Sequence, residues 1–300
     1  MLKIAFDPIY HHPLPAGHRF PMEKYSLLPQ QLLYEGTCAK ENFFSPGLLS
    51  EEQILRTHSE EYWQKLKELK LSRAEERRTG FPLSAKLVER ERRINQGTIE
   101  TAIYALEYGI SLNIAGGTHH AYTNRGEGFC LLNDIAIAAH YLLDQKKAQR
   151  ILVVDLDVHQ GNGTAEIMTT EERVFTFSMH GAKNYPLHKE KSDLDVGMED
   201  HCGDHAYLEK LQHYLTKTLK DFKPDFIFYQ SGVDVIASDK LGRLGLTKEG
   251  CKNRDRFVLE SARKLNIPVS ISMGGGYSTK LSDIIEAHAN TFRLAQMLIP

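Results

Sequence analysis

Chemistry concentrates where Asp155, Asp157 and His159 follow one another at every second position, directly after the apolar run Ile151 to Val154. In extended chain such residues leave on one face, and carboxylate and imidazole side by side suit a divalent ion such as zinc. Four more apolar stretches lead straight into polar residues: His119 and His120 after Gly116-Gly117-Thr118, Ser178 and His180, Asp234 after Ser231-Gly232-Val233, and Tyr277 after Gly274-Gly275-Gly276. A catalytic zinc site keeps three protein ligands and one open position. Asp157 and His159 supply two, and Asp234 is the best third; as a mere helix cap it would carry no chemistry. A histidine pair after two glycines provides the base, and the Tyr277 phenol can reach a developing oxyanion. No serine or cysteine in the set reads as an activated nucleophile, and Cys130, the one cysteine near it, reads as a packing residue. The chemistry indicated is attack by metal-activated water on a carbonyl.

Parallel strands followed by helices would gather these residues, because in an open parallel sheet the loops after the strands emerge on one edge. Strands are read at Leu2 to Phe6, Ile110 to Ala115, Ile151 to Val154, Val174 to Phe177, Phe226 to Tyr229 and Val269 to Ser272. Helices are read at Ser26 to Tyr34, Ser50 to Leu71, Thr98 to Tyr108, Asp204 to Phe222, Lys248 to Leu265 and Ser282 to Leu298, with another capped by Asp134 and running to Leu143. The segment from Tyr10 to Tyr25 is too rich in turn formers for a helix and reads as a rim over a pocket. The charged run from Arg73 to Arg93 interleaves acids with bases and reads as a solvated helical face. No linker or repeat divides the chain, so residues 1–300 read as one α/β domain with a mainly parallel sheet.

Composition narrows the function. A net charge of −2 over 300 residues, with pI near 6.7, argues against nucleic acid as a direct partner. Four cysteines lie far apart without a Cys-x-x-Cys pair, which argues against a zinc ribbon or a dense disulfide framework and points to a reducing, cytoplasmic setting. No secretory leader and no stretch of ~20 apolar residues is present, so no membrane partner is expected.

In order, Gly116-Gly117-Thr118-His119-His120-Ala121, Gly128-Phe129-Cys130-Leu131-Leu132-Asn133-Asp134, Asp155-Leu156-Asp157-Val158-His159-Gln160-Gly161-Asn162-Gly163, Ser231-Gly232-Val233-Asp234 and Gly274-Gly275-Gly276-Tyr277 resemble the zinc-dependent histone deacetylase superfamily, which includes acetoin-utilisation proteins and acetylpolyamine amidohydrolases. His159-Gln160-Gly161-Asn162-Gly163, Tyr185-Pro186 and Asp239-Lys240-Leu241-Gly242 are most similar to class IV. The resemblance implies the arginase/deacetylase fold, with eight strands in a mainly parallel sheet flanked by helices. It implies one Zn2+ on Asp157, His159 and Asp234, His120 as base, His119 as partner or proton donor oriented by Asp155, and Tyr277 on the carbonyl. Gly128, Phe129, Tyr185 and Gly275 would contact substrate, and Arg19 would line an internal cavity beneath the metal. A structural K+ held by backbone carbonyls around Asp155, Asp157 and His159 with Ser178 is also implied.

The implied substrate is an acyl-lysine protein or peptide, or a small acylated amine such as an acetylpolyamine; class IV relatives also suggest long acyl chains. A non-catalytic acyl-lysine binding module and a two-metal hydrolase of guanidino compounds are the other readings. The latter lacks the extra carboxylates, since Val158 and Asn162 stand where they would be expected. Asn162 replaces the aspartate that many relatives place behind the second histidine, so His120 should be less readily protonated than in those relatives. Oligomeric state and acyl length are open at this level.

Overall fold

The computed structural model describes residues 1–299. Eight strands form one sheet: β1 (Lys3–Ala5), β2 (Phe43–Phe44), β3 (Ile110–Asn113), β4 (Ile151–Asp155), β5 (Val174–Gly181), β6 (Leu194–Met198), β7 (Phe226–Gln230) and β8 (Val269–Ser272). Their order is β2-β1-β3-β8-β7-β4-β5-β6, and every pair is parallel. Every residue of β3, β4, β7 and β8 is buried; β4 and β7 accordingly read as nearly unbroken apolar runs, whereas β3 and β8 alternate apolar residues with buried serine and asparagine.

Ten helices complete the fold: α1 (Lys24–Tyr34), α2 (Glu51–Leu55), α3 (Glu60–Lys67), α4 (Arg73–Thr79), α5 (Ala85–Tyr108), α6 (Asp134–Asp144), α7 (Asn162–Met168), α8 (Asp204–Phe222), α9 (Lys248–Lys264) and α10 (Leu281–Leu298). Helix α5 lies along β3 and β8 and packs on α6, which meets α7; α8, α9, α10 and α1 pack one on the next. No described helix is long and apolar enough to cross a membrane.

The register aligns the strand ends that matter. Asn113, Ser272, Gln230, Asp155 and Ser178 are neighbours in one row across the sheet. Beyond that row the chain leaves each strand, and the polar loops of β3, β4, β7 and β8 are delivered to one edge.

Several elements differ from expectation. The charged run is not one solvated face. Ser84 starts α5 by accepting the Leu87 amide, and the helix carries Arg90 and Glu91 inside, paired with each other, with Arg90 Nε donating to the Tyr10 carbonyl at 2.8 Å. The expected helix from Ser50 to Leu71 is two, because Ser59 caps a second start by accepting the Tyr62 amide. Asn133, not Asp134, caps α6, accepting from the Ala136 amide at 3.0 Å. Strands β2 and β6 escaped notice because one has two residues and the other alternates through Asp195 and Gly197.

Candidate active site

The loop after β3 is built around Asp134. Its carboxylate accepts from the Gly117 amide (3.0 Å), the Thr118 amide and hydroxyl (2.8 Å each), Thr98 (2.7 Å) and Ser272 (2.9 Å). Gly116 and Gly117 sit at φ 78 and 71, and a Cβ on Gly117 would lie 1.9 Å from Gln230 Oε1, so the turn that presents the histidines admits only glycine. Two residues on, His119 and His120 stand with ring centroids 4.1 Å apart and take different partners. His119 Nδ1 donates to Asp155 Oδ2 at 2.7 Å, and His120 Nδ1 lies 2.6 Å from Asn162 Oδ1.

Both rings are buried, so desolvation opposes charge on each. For His119 the carboxylates of Asp155 and Asp157 outweigh that cost and push its pKa up to about 9. For His120, burial and the positive fields of His119 and His159 outweigh the Asn162 hydrogen bond and the Asp157 charge and hold it well below the ordinary histidine value. The two surroundings thus push the pair apart, favouring charge on His119 and the neutral ring on His120, the direction that acid and base roles require.

Asp157, His159 and Asp234 converge from the loops after β4 and β7, each offering a ligand atom within 4.8 Å of the others, all buried. His159 Nδ1 lies 3.0 Å from Asp157 Oδ1 and 3.2 Å from Asp234 Oδ2. The remaining bonds of these carboxylates run to backbone, from the amides of His159 (3.0 Å) and Gly275 (2.9 Å) to Asp157 and from Val158 (2.9 Å) to Asp234. Asp234 Oδ2 is buried without a hydrogen bond among the described residues. Burial and the Asp157 charge push the Asp234 pKa up to about 7, while the two carboxylates overcome burial to raise His159 to about 10. Two carboxylates and an imidazole in the interior, one oxygen unpartnered, form a donor set short of positive charge, and a zinc ion fits it.

The Tyr277 loop is tethered rather than flexible. Its amide donates to Asp239 Oδ2 at 2.6 Å, the Gly275 carbonyl accepts from Val233 at 2.9 Å, and the Lys24 ammonium donates to the Gly274 carbonyl at 3.0 Å. The Tyr277 hydroxyl makes no hydrogen bond among the described residues, and burial with the charges of Asp157 and Asp234 keeps it protonated, a free donor. Gly275 does more than line the pocket, since its amide binds Asp157 and a Cβ there would lie 2.1 Å from Asp234 Oδ2.

Outside this cluster a cavity of about 240 Å³ is lined by Arg19, Arg78, His120, Gly128, Phe129, His159, Tyr185, Leu241 and Tyr277. Phe129, the residue after Gly128, sits at φ 69 with its backbone N–H donating a hydrogen bond to the Thr79 carbonyl at 2.8 Å. Arg19 is not beneath the metal cluster. It is exposed at the mouth with its guanidinium 5.0 Å from the Phe129 ring centre. Among the described residues the buried cations are Lys24, Arg90 and Arg254, 0%, 3% and 0% exposed. Ser178 and His180 bond to each other at 2.9 Å outside the two pockets that hold the histidine pair.

Sequence reasoning missed three supports. Lys24 is buried against Phe20, Tyr25 and Tyr277, and its pKa is brought down to about 8, by burial above all. Arg254, fully buried and paired with Asp255, donates to the carbonyls of Leu156 (3.0 Å), Gly232 (2.6 Å) and Ser231 (3.3 Å), the backbone just before Asp157 and Asp234. Glu127 accepts from Asn162 and Tyr185; its place beside Gly128-Phe129 was the only signal for it.

Residues 18–292 match the histone deacetylase domain. The chain is 42% identical over 293 residues to an uncharacterized protein of Picosynechococcus, covering 98% of both. It is 31% identical over 280 residues to histone deacetylase 2 of Arabidopsis thaliana, covering 89% of this chain and 72% of that protein. Against human histone deacetylase 1 it is 28% identical over 286 residues, covering 88% of this chain and 58% of that protein's length. Among solved structures, an HDAC homologue complexed with SAHA superposes with TM-score 0.85 at 22% identity, covering 99% of this chain and 84% of that one. The HD domain of HDA15 superposes with TM-score 0.83 at 20% identity, covering 99% and 88%. Together with the all-parallel eight-stranded sheet and the gathered strand-end residues, these likenesses make the protein a member of the histone deacetylase family.

Proposed function

We propose that the chain is a zinc-dependent amidohydrolase that removes acetyl or longer acyl groups from lysine side chains. The observation that carries this reading is a pair of buried histidines, one held by Asp155 and the other by Asn162, beside a three-ligand metal cluster, with a free tyrosine hydroxyl over the same pocket. Zinc on Asp157, His159 and Asp234 would supply a Lewis acid for the amide carbonyl and lower the pKa of water toward ~7. The protein groups do the rest. His120 takes a proton from the attacking water, the Tyr277 hydroxyl donates to the oxyanion, and His119, held by Asp155, protonates the departing amine. Phe129 and Tyr185 flank the acyl-lysine stem, with Gly128 close beside it.

A structural K+ near Ser178 belongs to the same proposal, as does membership in class IV. The class IV motif from Asp239 to Gly242 has a clear task, because Asp239 accepts from the amides of Leu241, Gly242 and Tyr277 and so anchors the oxyanion donor.

Small acetylated amines are the second reading. An acidic mouth would favour a polycation, but the mouth carries Arg19 and Arg78, neither in a salt bridge among the described residues. This charge favours a peptide over an acetylpolyamine. A panel of acetyl-lysine and long-acyl-lysine peptides and acetylpolyamines, with and without a chelator, tests both. Chelator-sensitive turnover of peptides is expected; faster turnover of the polyamines would replace the substrate assignment, and binding without turnover would revive the non-catalytic module.

A further inference from the structure

The amide behind His120 is itself held from behind. Asn162 Nδ2 donates to Glu127 Oε1 at 2.8 Å and to the Tyr122 hydroxyl at 3.0 Å; that hydroxyl donates to Glu190 Oε1 at 3.1 Å. Glu127 is 8% exposed and also accepts the Tyr185 hydroxyl at 2.7 Å. Carboxylates only accept, so the two acids set the direction of every bond between them. Both Asn162 protons point outward, Oδ1 is turned to His120, and the ring must carry its proton on Nδ1. Nε2 is then the bare nitrogen, the one a base uses.

We infer that Glu127 is a positioning residue for the deacylation, acting through Asn162 to fix the His120 tautomer. It supplies from one residue further out the negative charge that an aspartate at position 162 would supply directly. The inference rests on the reading of His120 as base. No proton moves along the relay: the water proton goes to Nε2, the Nδ1 proton stays on the bond to Asn162, and the Glu127 carboxylate stands behind as counter-charge to the imidazolium. His119, His159, Asp157, Cys130 and Tyr185 also stand around His120, and Arg125 Nε lies 3.4 Å from the second Glu127 oxygen. The same carboxylate pins the Tyr185 ring, which stands edge-on to His120 at 5.0 Å, so the base and the tunnel wall share one anchor.

A purely structural anchor predicts something different. Glu127→Gln keeps an acceptor for Tyr185 and Asn162 but removes the charge, and adding Asn162→Asp restores a charge beside the ring. With fold and zinc content checked, Glu127→Gln is expected to lower kcat roughly tenfold or more, with KM changed much less, because a carboxylate orienting a catalytic imidazole is worth up to ~10⁴. The double variant is expected to recover most of that loss. Histidine-selective 15N NMR of the parent at neutral pH is expected to show His120 as the neutral Nδ1–H tautomer. This readout needs no turnover, so it stands even if acyl-lysine is not the substrate. An Nε2–H tautomer in the parent, parental kcat in Glu127→Gln, or a double variant no better than the single would each overturn the inference.

Discussion

Gly275→Ala is the smallest change that strikes the metal cluster alone. A Cβ at this position lies 2.1 Å from Asp234 Oδ2 and 2.7 Å from Asp157 Oδ2, against the roughly 3.5 Å that non-bonded atoms prefer. At least one carboxylate oxygen must therefore retreat by more than an ångström, whereas zinc accepts oxygen only near ~2.0 to 2.2 Å. Neither acid can retreat freely, because Asp157 is bound to the amides of His159 and Gly275 and Asp234 to the amide of Val158. The backbone at Gly275 is outside the left-handed region, so alanine adds only its methyl group. Overpacking of this kind costs about 1 to 3 kcal/mol of stability, and loss of a ligand should weaken zinc binding ~100-fold or more. Competition titration against a zinc chelator, run beside thermal melts with and without zinc, separates the two effects. Gly203→Ala, whose Cβ would meet nothing within 4 Å, is the control and should match the parent. A Gly275→Ala protein with parental zinc affinity would refute the placement of Asp157 and Asp234 as ligands.

Other expectations follow from the same structure. Tyr277→Phe should lower kcat by about 10² to 10³ with zinc still bound, since it deletes one oxyanion donor; steady-state turnover of an acyl-lysine peptide reads this directly. Asp255→Ala strands the fully buried Arg254 guanidinium, and also removes the acceptor for Tyr229 (2.6 Å) and Thr291 (2.6 Å). It should cost about 3 to 5 kcal/mol by urea unfolding. Glu35 ties α1 to α10 by accepting twice from Arg293, at 2.9 and 2.6 Å, and the Arg293 hydrogen bonds hold its pKa down to about 2. A depressed carboxyl pKa stabilises the fold above the ordinary value and loses that effect as pH falls toward 2. Glu35→Gln should thus cost about 1 kcal/mol at pH 7, and parent and variant should converge in acid.

The strands that build the site were readable because β4 and β7 are nearly continuous apolar runs and β3 and β8 are short, β-branched and apolar at every second position, and because glycine and charge mark the place where each ends. The Asp157, His159 and Asp234 grouping followed from that alone, as one sheet edge collects what lies beyond parallel strand ends. What could not be read depends on contacts distant in the chain. Arg19 and Lys24 lie five positions apart where the irregular segment gives way to α1, so nothing local says which cation turns inward; the rings of Phe20, Tyr25 and Tyr277 decide it. Asp134 looked like a helix cap because its neighbour Asn133 performs that task, leaving the aspartate to the histidine loop. Asn162 looked like the loss of a carboxylate. Glu127 is 35 residues away in sequence yet restores one at hydrogen-bond distance.

We propose that one zinc ion on Asp157, His159 and Asp234 makes this chain a deacylase. Zinc content and acyl-lysine peptide hydrolysis, followed together through chelation and stepwise zinc return, measure it most directly. Activity should vanish on chelation and return in proportion to zinc up to one ion per chain, while Asp234→Asn binds no zinc and stays inactive. Undiminished hydrolysis by the metal-free protein, or full zinc occupancy and activity in Asp234→Asn, would contradict it.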